Sequence, residues 1–131
     1  MKYLLDTMVW LWSVGPSRII GTAGLEIISS TREEIYLSAA SSWEIAIKTR
    51  LGKFQLPAPP GRYVPKRLAE QGIRSLPINQ DHSLRVYDLP THHADPFDRM
   101  IIAQAMVEQM TVLTSDREFE KYPIDVIWCG K

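Results

Sequence analysis

A single cysteine, Cys129, among 131 residues excludes an internal disulfide and any thiolate metal cluster. Any metal held by this chain is bound through oxygen or imidazole. Long hydrophobic runs are missing as well, since no segment approaches the roughly 20 apolar residues that a membrane span requires. Tyr3-Leu4-Leu5 is broken at once by Asp6 and follows one lysine, so a secretory leader is not expected and the expected compartment is the cytoplasm. The seven glycines are scattered, which excludes a glycine-rich phosphate loop or a dinucleotide fingerprint. Charge of one sign is also lacking: 15 Lys and Arg balance 15 Asp and Glu, so the chain as a whole has no bulk attraction for nucleic acid.

The composition that is present, 45% hydrophobic and 23% charged, is that of a folded globular chain rather than a disordered one. One domain spanning residues 1–131 is expected, large enough to bury roughly two-thirds of its unfolded surface. The charges are unevenly placed. Between Ile45 and Ala69 stand Lys48, Arg50, Lys53, Arg62, Lys66 and Arg67 with no acidic residue, a stretch suited to phosphates or to an acidic partner, and equally to a solvated helical face.

Strand and helix signals alternate along the chain, which predicts a parallel sheet covered by helices on its faces. Strands are expected at residues 2–5, 34–38, 73–78, 111–114 and 124–128, the last at an edge. Helices are expected through Val9-Trp10-Leu11-Trp12 up to Gly15-Pro16, at 18–30 with Ser17 as cap, from Ser41 or Ser42 to Leu51, and at 62–71, 80–88 and 96–109. Asp95-Pro96-Phe97-Asp98 has the chemistry of a helix start, with Asp95 as N-cap and Pro96 at the first helical position. The helix it opens is apolar almost all round and is therefore expected to be buried.

Four acidic residues lie at the edges of apolar segments, where surface charge is not expected: Asp6, Glu44, Asp98 and Asp116. Asp6 and Asp116 follow buried strands, and Glu44 and Asp98 are read as first-turn residues of helices. In an open parallel sheet, ligands bind beyond the carboxyl ends of the strands near the reversal of strand order, where these four side chains can converge. Clustered carboxylates repel, and a divalent cation removes the conflict. All-oxygen ligation suits Mg2+ or Mn2+, and one or two such ions can activate water for phosphodiester cleavage.

Each carboxylate has a blander account as a helix cap or a dipole partner, Glu44 least so because it lies among apolar neighbours. Their joint occurrence favours the site. His82, His92 and His93 lack zinc-motif spacing, Ser41-Ser42 and Ser115 lack a nucleophile elbow, and the four tryptophans read as core rather than as stacking platforms.

The order of these blocks resembles a known family. Leu5-Asp6-Thr7 with Trp10-Leu11, Ser42-Trp43-Glu44-Ile45-Ala46-Ile47-Lys48 with Leu51-Gly52-Lys53, Leu76-Pro77, His93 with Asp95-Pro96-Phe97-Asp98-Arg99, Ile102-Ala103-Gln104-Ala105 and Thr114-Ser115-Asp116 are similar to blocks of the PIN-domain ribonucleases, specifically the VapC-type toxins. The resemblance covers nearly the whole chain. It implies a three-layer α/β/α sandwich with a mainly parallel sheet of four to five strands. It also implies a Mg2+- or Mn2+-dependent endoribonuclease, an RNA substrate, a cognate antitoxin and a homodimer. Asp6, Glu44, Asp98 and Asp116 match the family's catalytic, metal-holding quartet, and Thr7, Arg99 and Ser115 are its implied contacts to water, metal or phosphate. Met8, where many relatives carry histidine, and Ala94, where arginine is frequent, depart from the pattern and put RNA selection rather than chemistry in question. Alternatives from the residues alone are another Mg2+-dependent phosphoryl hydrolase, a DNA nuclease, or a silent RNA- or antitoxin-binding module.

Overall fold

Lys2–Leu5 (β1) and Thr111–Thr114 (β4) are runs of β-favouring residues that pair in parallel at the centre of a five-stranded sheet. The computed structural model describes residues 1–16, 19–92 and 94–130. Glu34–Ser38 (β2), Arg74–Leu76 (β3) and Val126–Trp128 (β5) complete the sheet in the order β3-β2-β1-β4-β5, and every neighbouring pair is parallel.

Period-two alternation sends Tyr3, Leu5, Ile35, Leu37 and Leu113 into one apolar cluster and Leu4 and Val112 into another. The first cluster is completed by Val9 and Trp10 of α1 (Thr7–Val14), Ile45 of α3 (Ala39–Arg50) and Val64 and Leu68 of α4 (Pro60–Gln71), with α2 (Thr22–Ser29) adding Leu25, Ile27 and Ile28. The second is built on Ile101, Ile102, Ala103 and Ala105 of α6 (Pro96–Glu108), against which α5 (Gln80–Arg85) packs. Because both faces are covered, the central strands are apolar at successive positions, as a buried parallel sheet requires. Leu4, Leu5, Val112 and Leu113 are fully buried, and each contributes about 1.5–3 kcal/mol by leaving water. The expected three-layer α/β/α architecture is the one found.

Local chemistry sets the helix ends. Asp95 accepts hydrogen bonds from the backbone N–H groups of Phe97 and Asp98, and Pro96 fills the first position of α6, as expected. Gly72 closes α4 in the left-handed region, φ 69°, where a side chain would be strained.

Several boundaries differ from the expectation. Ser38, not Ser41 or Ser42, caps α3, by accepting from the N–H of Ala40, so the helix begins earlier and Glu44 is its sixth residue instead of a first-turn one. Three serines compete for that role, and Ser38 holds it at the end of β2, where its hydroxyl also donates to buried Gln104. Helix α2 begins at Thr22 with Gly21 as N-cap, and the expected cap Ser17 lies outside the described residues, as does His93. The third strand contracts to 74–76 and the fifth to 126–128, while the expected 80–88 helix divides into α5 and a 3-10 turn at Val86–Asp88. Trp10 is core as expected, whereas Trp43 and Ile47 of α3 and Leu51 just past its end are exposed.

Candidate active site

The chain order β1-β2-β3 runs outward on one side of β1, and β4 returns to the other side, so the order reverses between β1 and β4. Asp6 stands one residue beyond β1, and Ser115 and Asp116 follow β4, which places all three at the switch-point crevice. A pocket of about 250 Å3 opens there, lined by Asp6, Thr7, Met8, Glu44, Lys48, Phe54, Asp95, Asp98, Ser115 and Asp116. All four carboxylates read from the sequence share its wall. Glu44 arrives from the second turn of α3 and Asp98 from the first turn of α6.

Asp6 is 5% exposed and tightly held. Its Oδ1 accepts from the N–H of Val9 at 2.8 Å, and its Oδ2 accepts from Thr114 Oγ1 at 2.5 Å and from the N–H of Ser115 at 3.1 Å. Burial pushes the Asp6 carboxyl above the usual carboxylate range; the three donors pull the other way, and the charge of Asp116 pushes it further up. Asp116 accepts from the N–H of Glu118 at 2.9 Å, and its own N–H donates to Thr114 Oγ1 at 3.0 Å. Thr114 therefore ties the two aspartates together through one hydroxyl.

Glu44 is 6% exposed. Its Oε2 accepts from Lys48 Nζ at 2.5 Å, while its Oε1 is buried without a hydrogen-bond partner among the described residues. A buried carboxylate oxygen in that condition costs free energy unless something positive reaches it. Thr7 is fixed by donating from Oγ1 to Ser41 Oγ at 2.9 Å.

Arg99 is placed elsewhere. Its guanidinium donates to the carbonyls of Val86, Leu89 and Pro90, and it lines a separate groove beside Trp43 and Phe97. Those bonds tie α6 to the 86–90 segment, and Arg99 is not among the residues lining the acidic pocket. Two residues were missed as site components. Thr114 was read as the end of a strand and Lys48 as one of six basic residues, and both stood inside the family-like blocks without a site role; the Glu44-to-Lys48 spacing of four on a helix was the available signal for the second. His82, also read without a role, is buried against Glu108 Oε2 at 2.7 Å, a structural pair remote from this pocket.

The donor set is all carboxylate, which suits a hard cation, and Glu44 Oε1, buried with no hydrogen-bond partner among the described residues, is an oxygen such a cation would satisfy. Among the described residues, no three Asp, Glu, His or Cys side chains already close on a common point. The carboxylates line one pocket without forming a finished cage.

Comparison with known proteins bears on what such a pocket belongs to. A family model described as PIN domain matches residues 3–125. The chain belongs to the PIN domain family. Ribonuclease VapC16 of Mycobacterium tuberculosis is 46% identical over 57 residues, which are 44% of this PIN domain and 40% of that protein, so the match spans about two-fifths of the curated relative. Among solved structures, VapBC2 from Rickettsia felis bound to a promoter DNA fragment superposes with a TM-score of 0.74 at 15% identity, covering 98% of this chain and 99% of that one. DNA-bound VapBC from Salmonella typhimurium gives 0.68 at 17% identity, covering 97% of each chain. At those identities the structural likeness speaks for the fold. No helix among the described residues is long and apolar enough to cross a membrane.

Proposed function

We propose that this PIN domain is a divalent-metal-dependent endoribonuclease that acts as the toxin of a toxin–antitoxin pair. The observation that carries the reading is the convergence of Asp6, Glu44, Asp98 and Asp116, from four separate segments, on one pocket in which a buried carboxylate oxygen has no hydrogen-bond partner among the described residues. Family membership and the likeness to Ribonuclease VapC16 support RNA as the substrate and VapC-like toxicity as the biological role. The VapBC neighbours support a cognate antitoxin partner. A homodimer accords with the family resemblance.

Asp6, Asp98, Asp116 and Glu44 are the residues that would hold Mg2+ or Mn2+. Such an ion, when bound, lowers the pKa of water and neutralises charge at a scissile phosphate. The chain's own contribution is orientation. Three donors fix the Asp6 carboxylate, Thr114 couples it to Asp116, and Ser41 holds Thr7 with its side chain at the pocket wall. Ser115, whose N–H is committed to Asp6, keeps its side chain at the pocket, where it can face water or phosphate.

The test compares purified wild type with Asp6→Asn and Asp98→Asn on RNA, on DNA of the same sequence and on a small phosphomonoester, with Mg2+, Mn2+ or a chelator. RNA cleavage that needs the metal and drops roughly 100-fold or more in both variants is expected, since even outer-shell partners of a metal are worth 10–100-fold. Near-wild-type cleavage by both folded variants refutes the site. Turnover of the phosphomonoester alone makes the protein a phosphatase, cleavage of DNA alone makes it a deoxyribonuclease, and RNA binding without cleavage makes it a silent module. Sequencing of RNA 5′ ends after expression with and without the neighbouring reading frame then identifies target and antitoxin.

A further inference from the structure

Lys48 is the one cationic side chain lining the acidic pocket among the described residues, and it is not free in solvent. Its Nζ lies 2.5 Å from Glu44 Oε2 and 5.5 Å from the ring centre of Phe54, another wall residue. Pairs spaced i,i+4 on helices are usually exposed and worth about 0.3–0.5 kcal/mol. This one differs: the Glu44 side chain is 8% exposed and that of Lys48 29%. The negative potential around the ammonium also comes from beyond its own helix. The Glu44 hydrogen bond is the main influence holding the Lys48 pKa above its ordinary value, partly offset by desolvation, with added pull from the charges of Glu44, Asp95 and Asp98. In this arrangement one Glu44 oxygen is neutralised by Lys48 and the other has no hydrogen-bond partner among the described residues.

We propose that Lys48 is a built-in competitor for the divalent cation, exchanging between two anions: Glu44 when the pocket is metal-free, and a backbone phosphate of the substrate when it is loaded. The inference rests on the nuclease reading above. Glu44 cannot offer both oxygens to a cation while Lys48 holds Oε2, and a second positive charge in a 250 Å3 pocket repels the first. Lys48 is also well placed for the second anion. Its four-carbon stem carries a mobile point charge at the rim, and a lysine binds phosphate as such a charge. The competition accounts for a site whose carboxylates line one pocket yet do not close on a common point. Lys48 is thus a positioning residue that sets metal affinity and, once displaced, grips the RNA.

The test is Mn2+ binding by calorimetry on wild type, Lys48→Met, Glu44→Gln and the double variant, with thermal melts confirming that each is folded. Lys48→Met should bind Mn2+ about tenfold more tightly than wild type, and the gain should vanish in the Glu44→Gln background, because coupled residues are non-additive. At saturating Mn2+, Lys48→Met should raise KM for RNA with kcat retained and lower the salt dependence of binding by about one phosphate contact, and Lys48→Arg should hold KM near wild type. Unchanged or weaker Mn2+ binding by folded Lys48→Met overturns the competition. A gain that persists without Glu44 overturns its route, and an unaltered KM removes the phosphate role. Absence of Mn2+ binding by wild type is a separate outcome and sinks the nuclease reading itself.

Discussion

Thr114→Val replaces one hydroxyl by a methyl at a position 1% exposed, so shape is kept while two hydrogen bonds are lost. The hydroxyl donates to Asp6 Oδ2 at 2.5 Å and accepts from the N–H of Asp116 at 3.0 Å. A hydrogen bond to a charged group contributes about 1.5–3 kcal/mol, and the stranded N–H adds about 1 kcal/mol, giving a destabilisation of about 2.5–4 kcal/mol. At about 3 °C per kcal/mol for a chain of this size, the melting temperature should fall by about 7–12 °C. The same hydroxyl favours ionised Asp6, so its loss moves the Asp6 pKa still further up. The cost of the substitution is therefore largest near neutral pH and shrinks on acidification, where Asp6 is protonated in both proteins. Mn2+ affinity should fall about 10–100-fold, as for loss of an outer-shell partner, and Thr114→Ser should retain most of both properties. Thermal melts from pH 5 to 8 and Mn2+ titration decide the matter. A Thr114→Val protein that melts within a degree of wild type and binds Mn2+ equally well refutes the role given to this hydroxyl.

The other perturbations test the electrostatics and packing of the same frame. Without metal, the folded-state pKa of Asp6 is raised, so the native state keeps a proton that the unfolded state releases, and this contribution to stability is lost as pH rises above the ordinary carboxylate range. Asp116→Asn, which can still cap residues 117–121, should relieve part of that push; its melting temperature without metal should exceed wild type at pH 7, and the difference should disappear toward pH 4. Added Mn2+ at about 100 times its dissociation constant should stabilise wild type by about 2.7 kcal/mol and the Asp116→Asn protein by less; a wild-type melt indifferent to Mn2+ contradicts the clustering. Gly24→Ala should destabilise by about 1–3 kcal/mol, because its new Cβ would sit 2.6 Å from Cys129 Sγ, and Cys129→Ala in the same protein should recover much of the loss. Equal melts for Gly24→Ala and wild type would show that α2 shifts freely over the sheet.

What the amino-acid sequence disclosed was mostly what depends on near neighbours. The Asp95-Pro96 start of α6, the Tyr3-Leu4-Leu5 and Thr111–Thr114 strands, and the acidic residues just beyond those strands are local patterns, and each stands where expected. The start of α3 was not legible because Ser38, Ser41 and Ser42 are equivalent as caps until tertiary contacts distinguish them: Ser38 bonds Gln104, 66 residues away, and Ser41 accepts from Thr7. Trp43, Ile47 and Leu51 look like a buried stripe by spacing, but the face of α3 that meets the sheet carries Ile45 and Glu44. Arg99, implied by the resemblance as a contact to water, metal or phosphate, lines a different groove from Asp98, since successive helix positions point about 100° apart. Thr114 is invisible in one dimension because its meaning lies in a partner 108 positions away.

That separation has a consequence for biosynthesis. Two of the three donors that lock the Asp6 carboxylate, Thr114 Oγ1 and the N–H of Ser115, are added more than a hundred peptide bonds after it. At about 5–20 residues per second, the nascent polypeptide spends several seconds or more with that aspartate lacking those two donors. The clamp on Asp6 closes only after β4 has cleared the exit tunnel and docked against β1, so the pocket is among the last parts of the domain to take shape.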